Sequence, residues 1–566
     1  MKRRTILIIV AMAVVPILSL SARGAAEEEA VSPDVVLDGE GPSWSWDTSP
    51  HVVDWYINEG WYNKRWNLET LYDREVTHKT GVEVNINVPA GDGGERLNTM
   101  LASRNFPDVL TMGFWEPQFQ QLQDSGLLYT LDELIDEYAP TFNDIIPDSM
   151  RDWYTFEDGN WYGFVSSFWA PEREERFVAE AERMGVQPPR ISSYYGMFAR
   201  QDIMDEFGIV AEDFEHPDTL IDALHKVKGY RYDGFEVMPI HLGGEGSSIG
   251  GGVLNGYFAV PREDADGNLV STIEHPRYLE QLVWVNRLYR EGLIDDRVFT
   301  DQTAQVQERF ASGNVFLYIG NRVGSGNPEA MQTLYRSDNQ AKYVPVGPLR
   351  NYDGERPQQE SGGVAGWTVT MIPRTANRPD RIIRLLEFLY SDEGQTLHYL
   401  GKEGETFEWT DDGPARWIDE FAQFREEQPS QLVDQRFGLH TFFWAQCDIF
   451  SGTFVPQERT PAEEMTHQIG VATQPYTYNI LPFSELDPPG GTDAAGTAAE
   501  IDVFWEARIP EMVMAESEDE VRRQLRENIE RVYEIGYGEV HAIRNERFQA
   551  NKQQLGIEHA WPPLMD

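Results

Sequence analysis

The sequence holds a single cysteine, Cys447, in 566 residues. That excludes an intrachain disulfide framework and, with no CxxC pair, a clustered-thiolate zinc site. Basic residues are also scarce: 47 Lys and Arg face 94 Asp and Glu, a formal charge of −47. Phosphate recognition draws on clusters of Lys and Arg, so nucleic acid is excluded as a partner class. Past the N-terminus no apolar run reaches the roughly 18 residues that a membrane span needs. The eleven histidines contain no HExxH pair, and the chain is expected to hold neither metal nor cofactor. Two accounts of the acid excess stay open: adaptation to a saline medium, where screening removes self-repulsion, or the solvated acidic surface of an exported protein.

At the N-terminus, Lys2-Arg3-Arg4 precede an apolar run from Ile6 to Val15, then Pro16 and the small residues Ser19, Ser21, Ala22, Gly24, Ala25 and Ala26. This is the layout of an export signal cleaved near Gly24 or Ala26. Residues 1–26 therefore read as signal peptide and 27–45 as a flexible acidic lead. A lipoprotein needs a cysteine at this junction, and none stands there.

With 41% hydrophobic residues, the remainder is long enough for two or more cores. Val52 to Ile57 is strand-like, Trp66 to Thr80 reads as a helix closed by Gly81, and Val82 to Val88 alternates with period two. A helix from Glu95 to Ser103 leads to the short buried strand Pro107 to Leu110. Strands alternating with helices imply an α/β sheet, mainly parallel. Later helices open at His275-Pro276, after Asn377 and Pro379, and at Ser391-Asp392-Glu393; Ser517 and Glu520 have capping-box spacing ahead of another, stopped by Gly536. Asp487 to Ala499, rich in Pro, Gly and small residues, reads as a surface loop.

The order of these segments resembles the family 1 extracellular solute-binding proteins, which include the maltodextrin- and oligosaccharide-binding proteins of ABC importers. The pieces that carry the resemblance are Thr80 to Val84, Leu97 to Val109 (LNTMLASRNFPDV), Leu127 to Leu134 (LLYTLDEL), Asp158 to Gly163 (DGNWYG), Ala199 to Gly208 (ARQDIMDEFG), Tyr289 to Ile294 (YREGLI), Ala365 to Pro373, and Arg381 to Gly394. The resemblance implies an α/β, two-lobed periplasmic-binding-protein-like fold (type II) with the ligand cleft between the lobes. By the family's pattern the first lobe comprises residues 46–165 and 361–405, and the second 166–360 with 406–566; Trp161 to Trp169 would cross first, and the return would precede Gly362-Gly363. It further implies a monomer that captures a carbohydrate by lobe closure and delivers it to membrane permease subunits, with the energy supplied by a separate ATPase. Its place would be the periplasm or the outer face of the cytoplasmic membrane.

A sugar cleft stacks flat aromatic faces on C–H patches and meets hydroxyls with carboxylates, amides and Arg. In open α/β sheets ligands sit beyond the carboxyl ends of strands. Glu59 and Trp61 follow the first strand, and Trp115 and Glu116 follow Val109 to Met112. Phe168 and Trp169 lie at the expected first crossing, Trp367 in the Gly-rich return, and Arg322 after the strand-like Val315 to Ile319. Trp409 and Trp444 complete the ligand-binding candidates. Asp108 reads as a local turn or cap.

Other motifs dissolve. Asp264, Asp266 and Gly267 suggest a calcium loop, but its first and twelfth positions would be Arg262 and Ile273, so a hairpin turn is expected. Gly243 to Gly252 has neither GxGxxG spacing nor a GK[ST] ending. GxSxG occurs around Ser248, yet Gly251 and Gly252 follow where a nucleophile elbow begins its helix. A secreted glycoside hydrolase with paired carboxylates and a non-transport sugar receptor or adhesion protein are the alternative readings. The ligand stays open among mono-, di- and oligosaccharides and uronate glycans; the acidic surface disfavours a polyanion unless the cleft concentrates Arg.

Overall fold

The computed structural model describes residues 35–561 except 63, 91–92, 115, 157, 168, 187, 189, 244–251, 295, 324–327, 362–365, 412 and 457–458. The expected export signal, Trp115, Phe168, the GxSxG around Ser248 and Gly362-Gly363 lie outside the described residues. From Leu37 onward the chain forms one compact unit; of the unit before it only Val35 and Val36 are described, and both are exposed.

Among the described residues nine strands build the two larger sheets: β1 (His51–Ile57), β2 (Val82–Asn87), β3 (Val109–Gly113), β4 (Gly163–Val165), β5 (Tyr195–Arg200), β6 (Met238–Leu242), β7 (Val315–Asn321), β8 (Tyr343–Pro345) and β9 (Thr368–Met371). The first sheet has the order β2-β1-β3-β9-β4, the second β8-β5-β7-β6. β1, β2 and β3 are mutually parallel, with His51 opposite Val82 and Trp55 opposite Val109. β9 runs antiparallel to both β3 and β4, pairing Thr368 with Gly113 and Val369 with Val165. In the second sheet β6 and β7 are parallel, and β5 is antiparallel to β7.

Each sheet is covered on both faces, as the period of two requires when successive residues of one strand enter different cores. Trp55, Ile57 and Val109 enter one core of the first sheet; Tyr56, Leu110 and Met112 enter the other. In the second sheet Met197 and Ala199 point into one core and Phe198 into the other.

The local expectations are refined at several ends. The helix expected from Trp66 starts at Leu71, because Asn67 closes a turn on the N–H of Glu69 at 3.0 Å and its own N–H is held by Asp73 at 2.8 Å. The helix Pro379–Tyr390 buries Ile382, Leu386 and Leu389 together. Asp264 Oδ1 accepts the N–H groups of Asp266 and Asn268 at 2.9 and 2.8 Å, the expected hairpin. Asp487 to Ala499 is a loop only as far as Thr492, which caps the helix Asp493–Val513 through the Ala495 N–H at 3.1 Å. Its small residues are largely alanines, the strongest helix formers, so composition misled. Ser43 and Trp44, read as part of a flexible lead, belong to the folded body: Ser43 is buried and Trp44 packs edge-on against Phe388.

The C-terminal part divides between the sheets, where the sequence reading placed all of 406–566 with the second. Phe407, Trp417, Phe421, Phe437, Phe442, Trp444 and Phe450 join the core of the first sheet. Ala462, Met465 and Ile469 of the helix Pro461–Thr473 pack on the second, as do Met512, Val513, Val521 and Leu525 further on. The final helix, Tyr537–Leu555, is stapled to the Glu263 hairpin by a buried ion pair. Lys552 Nζ lies 2.6 Å from Glu263 Oε1 and 2.8 Å from the Gly267 carbonyl, while Glu263 Oε2 accepts the N–H groups of Ala560 and Trp561 at 2.5 and 2.9 Å. Removing one member of such a pair strands the other charge, so Lys552→Ala is expected to cost about 3–5 kcal/mol; urea unfolding of variant and wild type measures it, and a loss below about 1 kcal/mol would rule the staple out.

His398 gives the fold an acid limb. It is buried, ringed by Tyr72, Tyr399 and His440 at centroid distances of 6.2, 4.6 and 5.1 Å, and its Nε2 has no hydrogen-bond partner among the described residues. Burial, with His440 and Lys64 adding to it, holds the imidazole well below the usual value of 6.5. Below pH 6.5 the unfolded chain takes up this proton and the folded chain does not, so stability falls as pH falls. Burial raises Asp73 to about 6 and Glu387 to about 7, and these contribute the opposite slope. The urea midpoint of His398→Gln is therefore expected to fall less than that of wild type between pH 6.5 and 5; equal slopes would show that His398 is protonated in the fold without cost.

Candidate functional site

Because β9 is reversed between β3 and β4, the start of β9 lies beside the ends of both neighbours. Residues 58–62, 114, 116, 166–167, 169 and 366–367 consequently converge on one edge of the first sheet, beyond the carboxyl ends of β1, β3 and β4. Gly366 makes the tight entry possible: its φ is +67°, and a Cβ there would meet the Ser166 carbonyl oxygen at 2.2 Å. Ser166 Oγ then accepts the N–H groups of Trp367 and Thr368 at 3.3 and 3.2 Å, which fixes where the Trp367 ring begins.

Three tryptophans from distant parts of the chain meet here. Trp61 stacks on Trp367 with centroids 6.1 Å apart and planes at 29°, and Trp444 lies 6.3 Å from Trp61 and 6.0 Å from Trp367. Tyr62 closes the group against Trp444 at 5.1 Å and anchors that segment by donating its hydroxyl to the Thr441 carbonyl at 2.5 Å. Trp444 is 1% exposed and acts as a base, whereas Trp61 is 55% exposed. Glu59 orients Trp61 by accepting its Nε1–H at 2.6 Å. A large aromatic face open to solvent yet locked by a hydrogen bond is a ready ligand surface.

Trp367 also lines a cavity of about 150 Å3 with Phe114, Trp153, Tyr154, Gly366, Ser484 and Glu485. Phe114 stacks on Tyr154 at 5.1 Å with planes 16° apart. The opposite wall comes from the C-terminal segment, where Glu485 has a left-handed φ of 53°. The final helix holds that turn: Asn551 Nδ2 donates to the carbonyls of Pro482 and Ser484 at 3.2 and 2.8 Å, and Arg547 Nε to that of Glu485 at 2.8 Å. Such contacts over-determine the unusual backbone. The Glu485 side chain is solvent-accessible but walled by protein, and this desolvation pushes its carboxyl up to about 7, with Arg547 opposing and Asp487 adding.

The remaining sequence candidates separate. Glu116 lies at the edge but both its oxygens are engaged: Oε1 accepts the Gly113 N–H at 3.0 Å and Oε2 the Asn58 amide at 2.6 Å. Burial raises its carboxyl above the usual range. Trp169 is buried in the first core and donates to Glu174 at 2.9 Å. Arg322 is buried with all three nitrogens on protein acceptors: the Ser193 carbonyl at 3.0 Å, the Thr466 carbonyl at 3.2 Å and Ser192 Oγ at 2.9 Å. It ties the helix Pro461–Thr473 to the end of β7, and burial lowers its pKa to about 10. Trp409 makes ring contacts with Phe407 and Phe454, away from the tryptophan group. Asp108 is a cap, accepting the N–H groups of Asp54 and Asn377 at 2.9 and 2.7 Å. Reading the sequence missed Phe114, Trp153, Tyr154 and Glu485. Phe114 stood at a strand end beside the more conspicuous Trp115, while nothing in the sequence around Glu485 marks it as a cavity residue.

Among the described residues no cluster of three or more His, Cys, Asp or Glu is arranged to hold a metal ion, and no helix is long and apolar enough to cross a membrane. A family model described as bacterial extracellular solute-binding protein matches residues 71–396. The chain is 21% identical over 345 residues to the polygalacturonan/rhamnogalacturonan-binding protein YtcQ of Bacillus subtilis (58% of this chain) and spans 50% and 62% of the length of the curated relatives it matches. Its structure is similar to the ABC-transporter substrate-binding protein FusA of S. pneumoniae in complex with kestose, with a TM-score of 0.65 at 15% identity over 89% of this chain and 100% of that one. It is likewise similar to the alginate-binding protein AlgQ2, with a TM-score of 0.62 at 16% identity over 88% and 98%. At these identities the likeness establishes the fold, two α/β lobes of type II with a cleft between them. With more than half its length matched by the family model, this chain belongs to the bacterial extracellular solute-binding proteins.

Proposed function

We propose that the chain captures a carbohydrate, an oligosaccharide, in the cleft beside Trp61 and Trp367, and delivers it to the permease of an ABC importer. The observation that carries this reading is the stacked, solvent-open aromatic wall of Trp61 on Trp367, based on Trp444 and continued by Phe114 and Tyr154 around the cavity. Flat rings suit the C–H faces of a sugar, and the carboxylates of Glu59 beside Trp61 and of Glu485 on the opposite cavity wall suit its hydroxyls. Trp115 and Phe168, next in sequence to Phe114 and Ser167, remain candidates for the same wall. The names of the relatives, one bound to kestose and others binding alginate and pectic polysaccharides, support a saccharide ligand.

Capture works through closure. A ligand that touches both lobes binds the closed state more tightly than the open one and shifts the equilibrium by that difference. In this reading the first lobe takes residues 46–165 and 361–405, joined by 407–450 on the strength of their shared core. In this reading the protein is exported, works as a monomer, carries out no catalysis and takes no nucleic acid.

Two measurements test it. A saccharide that binds only the native state raises the melting temperature with concentration, by RT ln(1 + [L]/Kd) in free energy; a saccharide panel that leaves the transition unmoved would sink the carbohydrate reading. Truncating the exposed ring in Trp61→Ala is expected to weaken the saccharide so identified at least tenfold, about 1.4 kcal/mol, with little change in unfolding. Trp444→Ala, which empties a core position, is expected to cost about 3–5 kcal/mol of stability. Calorimetric titration and urea unfolding separate the two, and an unchanged affinity in Trp61→Ala would remove the aromatic wall from the binding site.

A further inference from the structure

The saccharides named among the relatives differ in charge: kestose is uncharged, whereas alginate and polygalacturonan are chains of uronic acids. The composition of the cavity bears on which class this chain takes. Among the described residues its lining includes one acidic or basic side chain, Glu485, set opposite Phe114, Tyr154 and Trp367. Every Lys and Arg from residue 35 onward is among the described residues, since none of the positions left out of that range is basic. None of them lines the cavity. The two arginines that bear on the Glu485 turn are engaged: Arg547 with the Glu485 carbonyl at 2.8 Å, and Arg544 with Asp487 at 2.7 Å. Arg322, the cation expected at the cleft, has all three nitrogens turned to Ser192, Ser193 and Thr466.

Resting on the carbohydrate reading above, we infer that the cleft selects uncharged glycans and that Glu485 excludes uronic-acid residues from the cavity. A uronate carboxylate placed there would meet a second carboxylate and aromatic faces whose π clouds are negative, with no free guanidinium to offset its desolvation. Glu485 shows the same shortage of positive potential, because the surrounding protein walls and Asp487 disfavour its anionic form more than Arg547 favours it. Sugar hydroxyls fit instead: each supplies a donor to a carboxylate that has aromatic walls on the other side, and hydrogen bonds to a charged acceptor are the stronger kind.

The test is calorimetric titration of the full mature chain at pH 8, where Glu485 is ionised, with neutral oligosaccharides (glucan, mannan, xylan, galactan and fructan fragments) and with oligogalacturonate and oligoalginate of matched length. Binding confined to neutral members, at least a hundredfold over any uronate, is the expected result, and Glu485→Gln is expected to narrow that ratio tenfold or more. A uronate that binds as tightly as the best neutral glycan would overturn the charge selection while leaving the carbohydrate reading in place. No binding by either class would overturn both. Should Glu485→Gln fail to fold, the wild-type ratio at pH 8 still decides; a ratio unchanged in a folded Glu485→Gln would remove Glu485 from the selection.

Discussion

One reversed strand organises this molecule. If β9 ran parallel to β3 and β4, its first residue would lie at the far edge of the sheet and Trp367 would be about a strand length from Trp61. Running antiparallel, it begins where β3 and β4 end, so the chain re-enters the first sheet at the same edge from which β4 leaves it. The single step from Gly366 to Thr368, with its required left-handed glycine and its three bonds to Ser166 Oγ, therefore places an aromatic ring and a sheet partner at once. Substituting that glycine would disturb both.

The second constraint comes from the C-terminus. Residues 407–450 thicken the first core and supply Trp444 beneath the exposed Trp61 and the half-buried Trp367. The chain then returns to the second sheet and ends in helices locked by the Lys552–Glu263 pair. From that anchored base the turn at Glu485 reaches the cavity. Gly490 donates its N–H to Gln120, and Gln554 to the Asp152 carbonyl at 3.1 Å, so the C-terminal segment touches helices packed on the first sheet on both sides of Glu485. The wall opposite Trp367 is thus held in place by tertiary contacts, and its residues need no local sequence signature.

This difference explains how much was legible in the sequence. Strand ends are local: period-two alternation located β2, and strand-like apolar runs β1 and β3; the rule that ligands sit beyond carboxyl ends pointed to Glu59 and Trp61, and the Gly-rich return to Trp367, and these three do converge. Arg322 followed the same rule and yet turned inward, because the helix Pro461–Thr473 offers it a carbonyl that the sequence gives no means of anticipating. Trp169 and Trp444 are aromatic residues at expected places that serve as packing, and composition does not distinguish the two uses. Glu485 was invisible for the opposite reason: an ordinary glutamate becomes special only when a distant helix forces its backbone left-handed and neighbouring walls desolvate its carboxyl.

The overall charge and the cavity charge act on different scales. A formal charge of −47 spreads over the surface, and at physiological salt its influence fades within about 8 Å of each group. It sets solubility and the approach of other macromolecules, and says little about what a dry cleft accepts. Glu485 acts inside that length, where water is displaced on closure and the effective dielectric falls. Closure also raises the cost of leaving this carboxylate without a donor, and a sugar hydroxyl is the group that relieves it. On the proposed reading, the residue that repels a second anion also couples an uncharged ligand to closure: an empty cleft would favour opening to keep Glu485 hydrated, and a filled one would replace that hydration with hydrogen bonds made when the lobes meet.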